Sequence, residues 1–512
     1  MTKKTHLAGS IAAGVAAALL GTLAVAPSAA WARDAPADGT AAATSSESSA
    51  TAGTTVDAVA NPKHMWDGDS ADSDDNAGID LQAASGSATW TTVDGMKTFQ
   101  QGDGSAFAQP AMKVIDVSQW QGTVDWAKVK AAGVDGVILR LGYCDNLDPN
   151  FATNLAGVRK AGIPYGIYLY SYAPDAGWAK TEADFVVKQM NDYKLTDMSF
   201  PVYYDLEAWN SWTWNGATLS HPTTPSGYLP VVNTFFNTLK AGGYTNVRVY
   251  SYLSYLNNEL NDSTIHAKAG WVAQYNTQCD YTFPNYSGQR GWQYSDSGTV
   301  NGISGSVDMN AFDKVVFTDT NFRTPHYSDI MWLNQYGITT GFSDGTYGGM
   351  RNVVRQDMAA FLRREAKKRG IYDAATWKPS ASDWSRFTDV TTSTPHAEDI
   401  LWLAHAGIAE GYTNADGGRS FGGMIPVYRQ DMAAFIYRLA NLAGKTSGVT
   451  SKSFTDVNSG TPHHAEIGWL GGSGIAEGYS NGNGTYRYEG MTTVYRQDMA
   501  AFIHRLDTRL DK

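Results

Sequence analysis

Basic residues are in deficit in this chain, and cysteine is nearly missing. Against 50 Asp and Glu stand only 39 Lys and Arg, a formal net charge of −11 over 512 residues. A protein that tracks a nucleic-acid backbone needs a basic stripe, so that class of partner is excluded. The same balance gives no attraction to an anionic membrane surface. Two cysteines, Cys144 and Cys279, are too few for a disulfide framework, and their wide separation leaves open whether they pair. Among the 10 histidines there is no H-E-x-x-H, the helical zinc-peptidase signature. No Gly-x-Ser-x-Gly elbow or Cys–His pairing emerges either. Neither a metal nor an organic cofactor is implied. After residue 26 no apolar run is long enough to span a bilayer.

The N-terminus carries what the rest lacks. Lys3 and Lys4 precede an apolar stretch from Leu7 to Ala26, then Ala30-Trp31-Ala32. A charged start, an apolar run and an A-x-A site predict a secretory signal over 1–32, hence a secreted chain with no membrane contact after cleavage. Residues 33–110 are rich in Ala, Ser, Thr and Asp and read as a linker unable to offset its ordering entropy. Within it, Asp67 to Gly78 superficially resembles a calcium loop, but the glycine at position 6 and glutamate at position 12 are missing.

From Met112 the texture changes to short Val/Ile/Tyr runs between helical patterns. Strands are expected at 114–118, 136–142, 165–172, 201–207, 247–252, 270–275, 291–295 and 307–312. A helix should open at Thr123 as N-cap and close at Gly133; others precede Gly162 and Gly242. Eight strands with intervening helices over 111–316 predict an α/β fold, a TIM-like (β/α) barrel. The short links after Tyr275 and Ser295 predict an irregular second half.

The last third repeats itself. Phe-Thr-Asp recurs at Phe317, Phe387 and Phe454, Thr-Pro-His at Thr324, Thr394 and Thr461, and Arg-Gln-Asp-Met-Ala-Ala-Phe at Arg355, Arg429 and Arg496. Three α-rich units follow, at 317–386, 387–453 and 454–512, each two helices about a turn and too small to bury its apolar face alone. Thr-Pro fits an N-cap followed by proline at N1. His326, His396 and His463 read as helix-start residues rather than ligands.

The chemistry concentrates in Pro201-Val202-Tyr203-Tyr204-Asp205-Leu206-Glu207. Residues i and i+2 of a strand share a face, so Asp205 and Glu207 project together at the C-terminal end, where barrels build active sites. Repulsion and desolvation raise at least one pKa of such a pair, leaving an acid that holds its proton near neutrality. Glycosidic cleavage needs such an acid and a second, charge-stabilising carboxylate. The plainer alternatives are two surface acids at a strand end, or a metal site. Asp116 on the first strand and Asp308 on the last would approach the same mouth, since those strands adjoin in a closed barrel.

Asp116-Val117-Ser118 with Gln121-Gly122, Tyr204-Asp205-Leu206-Glu207, Trp271-Val272-Ala273-Gln274-Tyr275, Trp292-Gln293-Tyr294 and Val307-Asp308-Met309-Asn310 occur in that order. This set resembles the glycoside hydrolase family 25 lysozymes. The resemblance implies cleavage of β-1,4 bonds between N-acetylmuramic acid and N-acetylglucosamine in peptidoglycan, on a flattened barrel. It implies Glu207 as general acid, supported by Asp205 and by Asp116 or Asp308. Asp205 would steady the substrate's own 2-acetamido group as it attacks the anomeric carbon; direct inverting attack by water is the alternative. Tyr170, Tyr204 and Trp271, with Gln293, are the groove residues expected, although about half of the barrel aromatics must face the core. A chitinase pattern, D-x-x-D-x-D-x-E, would need acids at Phe200 and Tyr203, and neither is one.

The repeats resemble S-layer homology units, which grip cell-wall polymers. Arg355, Arg429 and Arg496 are the wall-binding candidates through an anionic glycan group; the alternative is that each Arg–Asp pair braces its own repeat. The family's Thr-Arg-Ala-Glu is altered here, for example to Tyr428-Arg429-Gln430-Asp431. The partners expected are therefore peptidoglycan and a cell-wall glycopolymer. A non-catalytic wall-binding protein and a glycosidase on another acetamido-sugar polymer are the competing readings.

Overall fold

A computed structural model describes residues 87–214 and 217–511. The signal-type segment, the acidic Asp67–Gly78 loop and most of the expected linker lie outside these residues. Among the described residues no helix is long and apolar enough to cross a membrane.

The linker expected over 33–110 ends earlier than its composition implies. Thr89–Val93 (β1), Met96–Gln100 (β2) and Ala106–Ala108 (β3) form an antiparallel three-stranded sheet. Its large apolar residues are few but well placed. Phe99 and Phe107 each meet Trp292 edge-on at 5.4 Å, and both are buried in the barrel's outer core. Two buried aromatics outweigh the Ser/Thr-rich background.

The barrel strands are Ala111–Val117 (β4), Gly136–Tyr143 (β5), Tyr165–Tyr170 (β7), Val202–Asp205 (β8), Val247–Tyr252 (β11), Ala269–Ala273 (β12), Gly291–Gly298 (β13) and Val307–Asp313 (β14). Asn146–Leu147 (β6) adds an edge to β5, and a hairpin of Trp212–Trp214 (β9) with Ala217–Leu219 (β10) follows β8. The order β4-β14-β13-β12-β11-β8-β7-β5 closes through β4–β5. Helices Trp126–Ala131, Phe151–Ala161, Ala176–Asp192 and Pro225–Ala241 occupy crossovers of the first half. The second half is irregular, as its short links require: β14 runs antiparallel to both β13 and β4. The first helix starts at Trp126, not near Thr123. Asp125 caps it by accepting from the Lys128 N–H at 3.2 Å, a stronger cap than threonine.

Alternation along the strands divides the core. Val114, Ile138, Tyr168, Tyr203, Tyr250, Trp271 and Phe312 fill the barrel interior. Ile115, Leu139, Ile167, Tyr204 and Val249 face the helices. No disulfide joins Cys144 to Cys279.

The C-terminal repeats pair Tyr327–Gln335 with Arg355–Arg369, Ala397–His405 with Arg429–Leu442, and His464–Gly472 with Arg496–Leu510. Their first helices begin after His326, His396 and His463, each left-handed at φ near 60°. Thr-Pro therefore builds the turn before the helix rather than its cap: the Thr324 hydroxyl accepts from the Asn321 N–H at 3.0 Å. The repeats close into a ring. Arg355 Nε donates to Phe421 O, Arg429 Nε to Tyr488 O, and Arg496 Nε to Tyr347 O, at 2.9, 2.9 and 3.0 Å. Each arginine thus ties its repeat to the next, the third returning to the first. Each is buried among aromatic rings, as Arg429 is between Tyr479, Tyr488 and Phe502.

Candidate active site

β8 ends at Asp205, but the chain stays extended past it. The Leu206 N–H donates to Tyr250 O at 3.0 Å and Ser251 Oγ donates to Leu206 O, so β11 holds the backbone at Leu206, beyond the ladder. Leu206 packs outward into the core; Asp205 and Glu207 accordingly share the opposite face. Both are buried, 3% and 4% exposed. Tyr170, Asp205 and Tyr250 lie in one register row across β7, β8 and β11.

Asp116 and Asp308 sit directly opposite each other on β4 and β14. Asp116 is 4% exposed and its Oδ2 accepts from Gln293 Nε2 at 3.0 Å and Asn310 Nδ2 at 2.8 Å. Gln293 is turned that way by Tyr250 and Tyr275, whose hydroxyls donate to its Oε1 at 2.9 and 2.8 Å. Asn310 is held in turn by Trp271 Nε1 at 2.8 Å. Asp308 is half-buried and lines a recess with Asp116, Tyr168 and Trp120. All four predicted acids therefore meet at the C-terminal mouth of the barrel.

Their electrostatics are unequal. Burial, then the Asp116 charge, pushes Glu207 up to about 8, although its hydrogen bond with Tyr250 pulls the other way. Asp205 is also driven upward, by burial and then by Glu207 and Asp116, with Arg140 opposing. Asp205 Oδ1 is buried with no hydrogen-bond partner among the described residues. The pair titrates as a unit. Arg140, the weakest of these influences, acts on Asp205 and not on Glu207, and is the one asymmetry that favours an anion at Asp205.

The aromatic and amide residues sort differently from expectation. Tyr170 lies at the mouth beside Tyr172 and Trp209. Tyr204 does not: its ring stacks on Phe235 at 3.7 Å and its hydroxyl donates to Glu182 at 2.6 Å, on the outside of the barrel. Trp271 and Gln293 are buried beneath the mouth, supporting Asp116 rather than presenting a surface. The wall-binding candidates Arg355, Arg429 and Arg496 are only 5–7% exposed, and their Nε atoms are committed to the neighbouring repeat.

Sequence reasoning missed three features. Arg140 and Asp148 form a buried pair at 2.7 Å; an arginine inside Val137-Ile138-Leu139-Arg140-Leu141 was the available signal, since a charge within a buried strand must be paired. Glu182 is fully buried, accepting from Ser171 Oγ, Tyr172 N and Tyr204 OH at 2.9, 2.7 and 2.6 Å, and burial raises it to about 7. Trp120 stands exposed at the rim.

Comparisons with known proteins bear on both the barrel and the repeats. Residues 115–303 match the model of glycosyl hydrolases family 25, and 316–359 and 386–415 match the S-layer homology domain. Lysozyme M1 of Streptomyces globisporus is 27% identical over 202 residues, 39% of this chain and 67% of the relative. The autolytic lysozyme of Clostridium acetobutylicum is 30% identical over 266 residues, 51% of this chain and 68% of the relative. Among solved structures, the modular autolysin LytC of Streptococcus pneumoniae, in complex with a synthetic peptidoglycan ligand, is 35% identical with a TM-score of 0.41. That match covers 44% of this chain and 52% of the other, so the chain spans about half of LytC's length. The family model covers the strands bearing Asp116, Asp205 and Glu207, and the clostridial relative is matched over two thirds of its own length: the chain belongs to glycosyl hydrolases family 25.

Proposed function

We propose that the barrel is a muramidase, hydrolysing the β-1,4 bond between N-acetylmuramic acid and N-acetylglucosamine in peptidoglycan. The observation that carries this reading is the convergence of buried Asp116, Asp205 and Glu207 on one mouth, where like charges and desolvation leave a proton in the cluster at neutral pH. Glu207 donates that proton to the leaving glycosidic oxygen and afterwards takes one from water. Asp205, in its anionic form, orients the substrate's 2-acetamido N–H and stabilises the charge that develops as its carbonyl oxygen attacks the anomeric carbon. Asp116 is fixed by Gln293 and Asn310 and sustains the raised pKa of Glu207. Asp308, more open, is a sugar-contacting acid at the rim.

The C-terminal ring serves as the wall anchor of a secreted protein, its ligand a cell-wall glycopolymer. Its arginines act by closing the ring, so the binding surface is what they hold in place.

The test is to incubate the full chain with purified peptidoglycan and identify the new reducing ends. Muramic acid is expected. Glucosamine ends would reassign the bond cut, and release of nothing would leave a wall-binding protein. Glu207→Gln should abolish turbidity clearing while wall binding persists.

A further inference from the structure

Tryptophan is a costly residue to leave in water, and other tryptophans of the barrel illustrate the rule: Trp209, Trp271 and Trp292 are all buried. Trp120 is 45% exposed. It sits on a single 3-10 turn, Gln119–Gln121, directly after β4, and borders the recess that contains Asp116 and Asp308.

The turn is fixed on every side. Ser118 accepts from the Trp120 N–H at 3.3 Å, and its own N–H donates to Gln121 Oε1 at 2.9 Å. Gln121 Nε2 ties the turn to Ser306 O at 3.3 Å, just ahead of β14. Asn150 Nδ2 donates to Gln119 O and Gly122 O, both at 3.3 Å. Most telling is Asp148. Its Oδ2 accepts from the Gln119 N–H at 3.0 Å and from Arg140 Nε at 2.7 Å, and both members of that ion pair are 1% exposed. A buried salt bridge is a weak stabiliser in itself because of its desolvation penalty. Here one of its oxygens also holds the turn that carries the indole. Trp120 gains no burial from this rigidity. What it gains is a fixed orientation at the mouth, which is what a preformed aromatic platform requires.

We propose that Trp120 is a sugar-stacking platform, taking the apolar face of a pyranose ring of the glycan strand in a subsite on the β4/β14 side of the scissile bond. The proposal rests on the muramidase reading of the acid cluster. The indole binds and positions; it exchanges no proton. An exposed stacking surface outside the hydrophobic clusters predicts that its removal weakens substrate capture without unfolding the chain. Aromatic contacts of this kind set a loss of roughly 10- to 100-fold.

The experiment compares wild type, Trp120→Ala and Trp120→Phe in the full chain. Initial rates on soluble glycan strands give kcat and KM, and calorimetry gives the affinity of the Glu207→Gln protein, with and without Trp120→Ala, for a GlcNAc–MurNAc tetrasaccharide. Trp120→Ala should raise KM, and weaken tetrasaccharide binding, by roughly 10- to 100-fold, with kcat within about threefold and the thermal midpoint unchanged. Trp120→Phe should recover most of the affinity. If wild type releases muramic acid ends and Trp120→Ala matches it in KM and in tetrasaccharide affinity, the platform is refuted and the muramidase reading stands. If wild type cleaves no glycan, the reading of the acid cluster fails and the platform falls with it.

Discussion

Replacing Asp116 by asparagine should move the alkaline limb of the pH–rate profile, and the structure sets the direction. Glu207 must be protonated to donate, and its pKa stands near 8, so kcat/KM should fall as pH rises through about 8. Burial is the larger cause of that shift and the Asp116 charge the next. The substituted side chain keeps an amide oxygen to accept from Gln293 and Asn310, so the packing survives while the charge goes. Two like charges sharing one buried site interact by about 2 kcal/mol at an effective dielectric near 20. At about 1.4 kcal/mol per unit this corresponds to a shift of roughly 1–1.5 pH units. The sign is fixed: loss of a neighbouring anion makes ionisation of Glu207 easier, so the limb moves to lower pH, toward 7. The assay is initial rate on soluble peptidoglycan strands between pH 4 and 10 at constant ionic strength. An alkaline limb that stays in place, or moves upward, would refute the electrostatic argument. So would an unchanged limb in Glu207→Gln, since that would mean another group supplies the proton.

Glu207→Gln should also stabilise the protein. A carboxyl raised from 4.5 to about 8 costs folding free energy once the unfolded chain ionises, up to about 3 kcal/mol at pH 7 by linkage; thermal melts should show a gain that vanishes below about pH 4.5, where both states are protonated. Arg140→Met strands the buried Asp148 carboxylate and should cost about 3–5 kcal/mol, read by urea denaturation, with the Trp120 turn loosened as well. Glu182→Ala removes the acceptor of three buried donors and should lower stability by about 3 kcal/mol, measured the same way. Arg429→Ala cuts one of the three ties of the C-terminal ring and should lose about 2–4 kcal/mol there; a sedimentation assay with cell walls should show weakened binding while glycan cleavage in solution persists.

Much of the barrel was legible because its strands are short Val/Ile/Tyr runs bounded by turn residues, and alternation then set which side chains meet. Asp205 and Glu207 were paired by that rule and do share a face. The same rule excludes Tyr204, which is one residue from Asp205 and must point to the helices. Its place among the groove residues came from residue type and failed on parity. Trp271 and Gln293 have the right parity but are committed to Asn310 and Asp116, long-range partners that no local pattern encodes. The sheet at 89–108 was hidden for another reason: its few aromatics owe their burial to Trp292, far along the chain. In the repeats, periodicity located every helix, yet the arginines' partners belong to the next unit, a relation visible only once the ring closes.

That closure logic also sets the electrostatics of the acid pair. Sequence places Asp205 and Glu207 two residues apart with the same neighbours, so nothing local distinguishes acid from base. The distinction comes from the strands on either side. β5 brings a buried Arg140 to bear on Asp205, while β4 brings the Asp116 anion to bear on both carboxyls. Asp116 is itself locked by Gln293 from β13 and Asn310 from β14. The Arg140 cation therefore distinguishes the two acids where the Asp116 anion does not, and burial magnifies the difference because little water screens it. The chemical asymmetry of the site is therefore a product of strand order around the barrel rather than of the motif that carries the acids.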